Sequence, residues 1–326
     1  MYTDLPLDQL RDYRPEVSEP DDFDAFWERT LRDSRRAGGD STSVPADTPV
    51  TSLRIEDVTF PGFGGDPVRA WFVRPHGDEP MPCVVELVGY GGGRGLPEEH
   101  LAWASAGFAH LVMDTRGQGS VWGGGGQTPD PHPTGPAVPG VMTRGIEDPE
   151  SYYYRRLVTD AVRAVDHVLS RPDVLHDQVA VHGESQGGGL ALAAGALHTS
   201  VSAVLADVPF LCHFARAVTI TDDGPYHEIV RYLAVHREAQ EQVFRTLSYV
   251  DGVSMAGRIT APALVSVALM DPVCPPSTVF AAANRIAGAV DLEVYPFNRH
   301  EGGGLAHWRR AVRWLRETWG IESQRG

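Results

Sequence analysis

The sequence is poor in cysteine and in positive charge. Its 326 residues include three cysteines, Cys83, Cys212 and Cys274, an odd number whose spacing matches no metal motif. Neither a disulfide framework nor a cysteine-held metal is therefore expected, and a reducing compartment is the simplest setting. Acidic residues number 43 against 28 basic ones, which gives a formal net charge of −15. Such a surface repels nucleic acid and anionic membranes, whereas neutral or cationic small molecules fit it better.

Long apolar runs are also missing. The longest ones fall well short of the roughly 20 residues that cross a bilayer, and the N-terminus lacks a basic start followed by an apolar stretch. These absences predict a cytoplasmic protein that binds neither nucleic acid nor membrane and needs no metal or cofactor. The apolar fraction of 42% is ordinary for a globular protein, and the chain can form one α/β domain over residues 1–326.

Short apolar runs alternate with helical patterns, which predicts a mostly parallel central sheet with helices on both faces. An N-terminal arm and helix occupy residues 1–50 and end in a polar linker over Ser41–Pro49; a further helix is expected near Glu98–Ala106. The segment 119–150 is rich in glycine and proline, and its length of about 30 residues exceeds that of a simple connection. The segment 211–255 is helical and is expected to lie over the strand ends, where α/β active sites form.

A serine between two glycines follows a predicted strand and precedes a predicted helix. The strand is Val179–His182, the turn is Gly183-Glu184-Ser185-Gln186-Gly187, and the helix is Gly188–Leu197. A G-x-S-x-G turn of this kind is sharp and strained, and it pushes the serine hydroxyl out of the sheet at a helix N-terminus. Ser185 is therefore the predicted nucleophile, whereas His182 is expected to be a packed strand residue.

The acid and the base of such a site follow the nucleophile in the order Asp or Glu, then His. Ala263–Leu269 is a late strand, and Asp271 comes almost directly after it. Leu292–Tyr295 is the last strand, and the loop after it contains His300. We therefore expect Asp271 to orient His300, and His300 to take the proton of the serine.

Two other residues compete for these roles. Asp207 ends the strand after the nucleophile helix, a position that some hydrolases use for the acid. The following Val208-Pro209-Phe210, however, is typical of a structural turn. His307 lies inside the last helical pattern, whereas the base is expected on a loop. The pattern favours Asp271 and His300, with Asp207 and His307 as alternatives.

A glycine-rich loop follows an early strand. It reads GYGGGRG over residues 89–95, directly after the predicted strand Cys83–Val88. This position matches the loop that supplies the second oxyanion amide, so the amides of Tyr90 and Gln186 are expected to bind the acyl oxygen. No Lys-Ser/Thr pair follows the glycines, which argues against a nucleotide P-loop. The substrate pocket is expected to be lined by nearby loop residues: Tyr90, Trp122, Phe210 and Pro225.

The chain resembles the acetyl xylan esterases and cephalosporin C deacetylases of carbohydrate esterase family seven. The shared stretches span most of the chain in one order, so the resemblance is specific. They are GYGGGRG (89–95), MDTRGQGS (113–120), MTRGI (142–146), YYYRR (152–156), SQGGG (185–189), DVPFLCHF (207–214), FRTLSYVDG (244–252), MDPVCPPST (270–278) and YPFNRHEGGG (295–304).

The resemblance implies an α/β-hydrolase fold and hydrolysis of acetyl esters on sugars, such as xylo-oligosaccharides, and on cephalosporin C. It implies the same triad and the same two oxyanion amides, and it gives the Arg116-Gly117-Gln118 turn a structural role. It also implies a ring-shaped hexamer whose active sites face an inner cavity, with residues 119–150 as an interface extension.

Two residues depart from the family's pattern. Glu184 stands where a small residue is expected before the serine, and Val88 stands where a histidine is expected before the Gly-Tyr loop. Two other hypotheses about function remain: a thioesterase or peptidase on the same fold, and a non-enzymatic binding protein on this scaffold. The intact order of serine, aspartate and histidine favours an enzyme.

Overall fold

The computed structural model describes Tyr2 and residues 4–321. Its strands are β1 (Thr42–Pro45), β2 (Arg54–Pro61), β3 (Pro67–Arg74), β4 (Met81–Leu87), β5 (Ala109–Met113), β6 (Val174–Glu184), β7 (Ala203–Asp207), β8 (Ala263–Ala268) and β9 (Val290–Tyr295). Its α-helices are α1 (Leu7–Arg11), α2 (Phe23–Ala37), α3 (Ala102–Ser105), α4 (Tyr153–Leu169), α5 (Gln186–Leu197), α6 (Phe214–Ile220), α7 (Tyr226–Val235), α8 (Gln240–Ser248), α9 (Gly252–Ala256), α10 (Pro276–Ala283) and α11 (Gly304–Thr318). Short 3-10 helices lie at Phe63–Gly65, Pro97–His100 and Arg237–Ala239.

These strands form a nine-stranded sheet in the order β1-β2-β3-β5-β4-β6-β7-β8-β9. Strands β4 to β9 run parallel to one another, whereas β1, β2 and β3 are joined antiparallel at one edge. Parallel neighbours need crossover connections, and the helices that make them cover the sheet. The mostly parallel sheet predicted from the alternation of strands and helices is confirmed.

Alternate residues of the central strands face opposite sides of the sheet, as the pleat requires. In β6, Val179 and Val181 belong to the larger core, which includes side chains of α2, α4 and α5. Ala180 between them belongs to a second core with Trp103 of α3 and Trp314 of α11. Helices therefore cover both faces of the sheet.

Two local predictions are wrong. The expected polar linker at Ser41–Pro49 contains β1, which pairs antiparallel with β2. All four residues of β1 are exposed, so this edge strand is held by backbone hydrogen bonds and has no apolar alternation in its sequence. The helix expected near Glu98–Ala106 is broken, because Pro97–His100 is a 3-10 turn and α3 covers only Ala102–Ser105.

Two segments interrupt the alternation of strands and helices. Residues 119–150 contain neither helix nor strand, and residues 211–255 contain α6 to α9 between β7 and β8. No helix within the described residues is long and apolar enough to cross a membrane.

Buried ion pairs fix the start of the irregular segment against α4. Arg116 is fully buried, and its guanidinium lies 2.8 Å from Asp160 and 3.2 Å from Asp130. Arg156 of α4 pairs with the same Asp130 at 2.7 Å. A buried arginine with several carboxylate partners is strongly directional, so this segment is held in one position despite its lack of regular structure.

Candidate active site

Ser185 lies between β6 and α5 in a strained backbone conformation. Its φ of 57° and ψ of −118° lie in a region that side-chain-bearing residues rarely adopt. Two backbone hydrogen bonds, each 2.9 Å long, hold it there: its N–H donates to the carbonyl of Asp207, and its carbonyl accepts from the N–H of Phe210. The strand after the nucleophile helix therefore fixes the position of the serine.

The two glycines of the turn are required by close backbone contacts. A Cβ atom at Gly183 would lie 2.3 Å from the carbonyl carbon of Gly187. A Cβ atom at Gly187 would lie 1.9 Å from the carbonyl oxygen of Leu87 in β4. Both distances are shorter than any real carbon contact, so only glycine allows the helix to start this close to the sheet.

The structure brings the three residues of the predicted triad into one hydrogen-bonded row. Nε2 of His300 lies 3.0 Å from Oγ of Ser185, and Nδ1 of His300 lies 2.9 Å from Oδ2 of Asp271. Asp271 is fully buried, and its Oδ1 accepts from the N–H groups of Val273 at 2.8 Å and Cys274 at 3.0 Å. These bonds leave the second carboxylate oxygen of Asp271 to orient the imidazole.

The surroundings of His300 favour its protonated form. Burial lowers the pKa of the imidazole, but the hydrogen bond and the charge of Asp271 outweigh burial, so the net pKa is raised above the ordinary value. The charge of Glu184 acts in the same direction. A stabilised imidazolium is what a base needs once it has accepted a proton.

Asp207 and His307, the alternative acid and base, pair with each other. Nε2 of His307 lies 3.0 Å from Oδ1 of Asp207, and its Nδ1 lies 3.0 Å from the hydroxyl of Tyr295. The other oxygen of Asp207 lies 3.3 Å from Nε2 of His182, which packs within the sheet as predicted. Within the described chain, neither Asp207 nor His307 hydrogen-bonds to His300.

Two backbone amides close to the serine have no acceptor among the described residues. Gln186 is the first residue of α5, so its N–H is one of those that a helix leaves without an intrahelical acceptor. The N–H of Tyr90 donates to no residue that the structure describes. Unpaired amides beside a serine hydroxyl are the arrangement that binds an oxyanion.

The loop that carries Tyr90 is anchored by the irregular segment and by α7. The indole N–H of Trp122 donates to the carbonyl of Tyr90 at 2.7 Å. The hydroxyl of Tyr90 donates to Glu228 of α7 at 2.5 Å and accepts from the N–H of Val141 at 2.8 Å. Elements distant in sequence thus hold Tyr90 in place.

The Arg116-Gly117-Gln118 turn joins the loop of Tyr90 to the start of α5. The carboxamide oxygen of Gln118 accepts from the N–H of Gly91 at 2.6 Å, and its nitrogen donates to Oε1 of Gln186 at 3.0 Å. This contact gives the turn a definite structural position beside the serine.

A cavity of about 720 Å³ opens at Ser185. Tyr90, Trp122 and Pro225, three of the four residues expected to line a substrate pocket, belong to its lining. The expectation for Phe210 is wrong: its side chain is fully buried, and its ring centroid lies 4.2 Å from that of Tyr226 in α7. Its N–H bonds to the carbonyl of Ser185, and its ring packs in the core beneath the cavity.

Several charged side chains of the cavity were not predicted. They form no motif in the sequence, because they come from separate elements: β4, the 3-10 helix Pro97–His100, β6 and α7. They are Glu86, Glu99, His100, His182, Glu184 and Glu228. Only Glu184 gives a sequence signal, through its place next to the serine.

Three described side chains are close enough to share a metal ion. Ligand atoms of Asp271, Cys274 and His300 lie within 4.8 Å of one another. Burial raises the pKa of the Cys274 thiol well above its ordinary value, which disfavours the thiolate that a metal needs. The carboxylate of Asp271 and the imidazole of His300 are already hydrogen-bonded to each other. This arrangement suits the acid and the base of a serine hydrolase better than the ligands of a metal ion.

A family model of acetyl xylan esterase matches residues 1–318. The chain belongs to the acetyl xylan esterase family. Members of this family are carboxylic ester hydrolases, and the sheet order and the solved relatives confirm the α/β-hydrolase fold.

Solved structures of this family are similar over nearly their whole length. The acetyl xylan esterase of Paenibacillus sp. R4 is 42% identical, with 96% of this chain and 99% of that chain covered and a TM-score of 0.91. Acetyl xylan esterase 1 of Thermoanaerobacterium sp. JW/SL YS485 is 33% identical, with 97% and 99% covered and a TM-score of 0.90. The acetyl esterase Axe7A of Xylanibacter ruminicola is 27% identical over 88% of this chain, which spans 65% of that protein's length.

Proposed function

We propose that this protein is a serine esterase that removes acetyl groups from sugars such as short xylo-oligosaccharides, and from cephalosporin C. The hydrogen-bonded row of Ser185, His300 and Asp271 carries the proposal, since its distances of 3.0 and 2.9 Å fit proton transfer from the serine. Membership of the acetyl xylan esterase family supports the acetyl group as the acyl part. The acidic chain fits a neutral sugar better than a polyanion.

In the first half of the proposed reaction, His300 Nε2 takes the proton of the Ser185 hydroxyl as Oγ bonds to the acetyl carbon. Asp271 keeps the imidazole in place and stabilises its charged form. Negative charge develops on the acetyl oxygen, where the amides of Tyr90 and Gln186 donate to it. The bond from the acetyl carbon to the sugar oxygen then breaks, and the imidazolium protonates that oxygen.

In the second half, water replaces the sugar. His300 takes a proton from the water, whose oxygen bonds to the acetyl carbon of the acyl-enzyme. The bond to Oγ breaks, acetate leaves, and the proton returns to Ser185. Loss of one oxyanion donor in such a mechanism typically lowers the rate by about 10²–10³-fold.

The test is acetate release from acetylated xylo-oligosaccharides, cephalosporin C, p-nitrophenyl acetate and longer p-nitrophenyl esters. The acetyl esters should be hydrolysed fastest, and Ser185→Ala should lower kcat by about 10⁴-fold or more. Ser200→Ala, at an exposed turn, is the matched control and should keep the wild-type rate. Wild-type activity in Ser185→Ala would refute the mechanism, and a preference for thioesters or peptides would refute the substrate class.

We also infer a cytoplasmic hexamer. Cys83, Cys212 and Cys274 are buried and unpaired, which suits a reducing compartment. Val121, at the start of the irregular segment, is 76% exposed, which suits an interface. Sedimentation velocity should give six chains per particle, and cell fractionation should find the protein in the cytoplasm; a monomer or a secreted protein would contradict these inferences.

A further inference from the structure

The cavity at Ser185 has a strongly acidic lining. Four carboxylates line it, those of Glu86, Glu99, Glu184 and Glu228. No arginine is among the lining residues that the structure describes, and the whole chain contains no lysine. Histidines are therefore the only cationic side chains in the wall. A cavity lined by one sign of charge concentrates small molecules of the opposite sign.

Histidines neutralise part of this wall but leave Glu184 unpaired. Glu86 lies 3.0 Å from Nε2 of His110 and 3.7 Å from Nδ1 of His182. Those contacts outweigh the effect of burial, lower the pKa of Glu86 and help to raise the pKa of His182 to about 10. Burial lowers the pKa of His100, which keeps this ring neutral. Glu184, in contrast, forms no hydrogen bond or ion pair with any described residue.

The Glu184 carboxylate therefore has room for a partner from the cavity. Its side chain is exposed and belongs to the cavity lining. Its partial burial first, and then the charge of Asp207, raise its pKa to about 6, against the opposing effects of His300 and His182. A cation in the cavity would stabilise the ionised form of this carboxylate, because the negative charge would gain a partner.

An exposed aromatic side chain lines the same cavity as Glu184. Trp122 is 51% exposed, and its indole and the Glu184 side chain both belong to the cavity lining. An indole and a carboxylate in one cavity are a combination that recognises alkylammonium groups, through cation–π and ionic attraction together.

We propose that this wall, formed by Glu184 and Trp122 together with Glu86 and Glu99 of the same cavity lining, binds a positively charged amine in the alcohol part of the acetyl ester. Among acetyl esters of equal shape, the enzyme then hydrolyses those of amino alcohols or amino sugars in preference to their uncharged counterparts. The inference rests on the proposed esterase function and adds the charge of the leaving alcohol to it.

The test uses two acetyl esters of the same shape. Acetylcholine carries a quaternary ammonium, and 3,3-dimethylbutyl acetate has a carbon atom in its place. The wild-type enzyme should favour acetylcholine in kcat/KM by about tenfold at about pH 8, where Glu184 is ionised. The ratio should fall as the pH drops through about 6, since Glu184 then becomes neutral. Titration of His300 affects both esters equally and cancels in the ratio.

Substitutions in and outside the wall show which residues determine the ratio of kcat/KM values. Glu184→Gln should bring the ratio to within about twofold of one and abolish its pH dependence. Trp122→Leu and Glu99→Gln should lower the ratio by smaller factors, and each remains informative if Glu184→Gln does not fold. Glu238→Gln, an exposed carboxylate outside this cavity, is the matched control and should keep the wild-type ratio.

The two rates together show whether the esterase function fails or only the preference for a cationic alcohol. If neither ester is hydrolysed and acetylated sugars are also untouched, the proposed esterase function fails. If the uncharged ester is hydrolysed and the ratio stays near one in the wild type, the inference is wrong and the carboxylates recognise hydroxyl groups instead. A ratio that stays high in Glu184→Gln would likewise overturn the role of Glu184.

Discussion

At the scale of single residues, backbone strain is concentrated around the nucleophile. Four described residues other than glycine have positive φ: Ser185 at 57°, Val208 at 38°, Leu211 at 63° and His213 at 48°. Three of them lie just after β7, whose last residue accepts the N–H of Ser185. Hydrogen bonds from the surrounding backbone hold these residues in their strained conformations, and strained positions at functional sites persist in this way.

The acid can be identified by a pair of matched substitutions. Asp271→Asn should lower kcat/KM by about 10⁴-fold, because an amide cannot stabilise the imidazolium or hold its tautomer. Asp207→Asn should cost far less, since that carboxylate contacts His182 and His307 and its backbone carbonyl still binds Ser185. Steady-state kinetics with p-nitrophenyl acetate measures both. The reverse order of effects would assign the acid to Asp207.

The pH profile reports the surroundings of His300. Activity needs the neutral imidazole, so kcat/KM should fall as the pH drops below the pKa of His300, which lies above its ordinary value of about 6.5. The charge of Glu184 helps to raise that pKa, and Glu184→Gln should therefore move the acid limb to lower pH. An acid limb that does not move in this variant, measured with an uncharged ester, would show that the two groups are not coupled.

At the scale of elements, the contact between α5 and β4 sets how far the serine projects. Gly187 lies directly against the backbone of Leu87, with no space for a side chain. The same contact brings the loop after β4, which contains Tyr90, next to the start of α5. The helix, the strand and the loop are therefore positioned together.

A single methyl group should break this contact. Gly187→Ala should lower the free energy of unfolding by about 3 kcal/mol or more, since its Cβ atom meets a backbone oxygen that cannot move freely. Gly257→Ala is the control, because nothing lies within 4 Å of its Cβ position, and it should change stability by less than about 1 kcal/mol. Urea unfolding measures both, and equal stabilities would contradict the close packing.

The candidate triad could be found in the sequence because its residues stand at fixed points of the fold. Ser185, Asp271 and His300 each follow a strand whose apolar pattern is visible, and parallel strands bring their ends to one edge. The side chain of Phe210 was misplaced because backbone geometry, not residue type, decides where it points. Positive φ at Val208 and Leu211 on either side folds this turn against Ser185.

Other features could not be predicted because they depend on tertiary contacts. β1 is fully exposed, so no pattern of apolar residues marks it. The acidic wall joins Glu86 of β4, Glu99 of the 3-10 helix and Glu184 of β6, and the pairing of β4 with β6 brings Glu184 to the same cavity as the other two. Single charged residues in a sequence are usually solvated, and only the folded chain shows which ones share a cavity.

At the scale of the whole molecule, stability should depend on pH at both ends of the range. Hydrogen bonds to Arg171 and Arg74 outweigh burial and lower the pKa of Asp173 to about 2. Its contribution is present above the unfolded-state pKa of about 3.9 and is lost as the pH falls towards 2. Partners outweigh burial for His182 and raise its pKa to about 10, so its contribution is present below about 6.5 and is lost as the pH rises through 10.

The Tm should therefore be highest between these limits and should fall on both sides. Calorimetry from about pH 3 to pH 10 measures it. A Tm that stayed constant from neutral pH down to about pH 3 would mean that the paired aspartates contribute nothing to stability.

The central claim is that Ser185 is the nucleophile of an esterase. Treatment with a fluorophosphonate, followed by mass spectrometry of the digested protein, tests it most directly. We expect one phosphonyl group per chain on the peptide that contains Ser185, with esterase activity lost in parallel and no labelling of Ser185→Ala. A treated protein that keeps full activity and carries no label on Ser185 would contradict the assignment of Ser185 as the nucleophile.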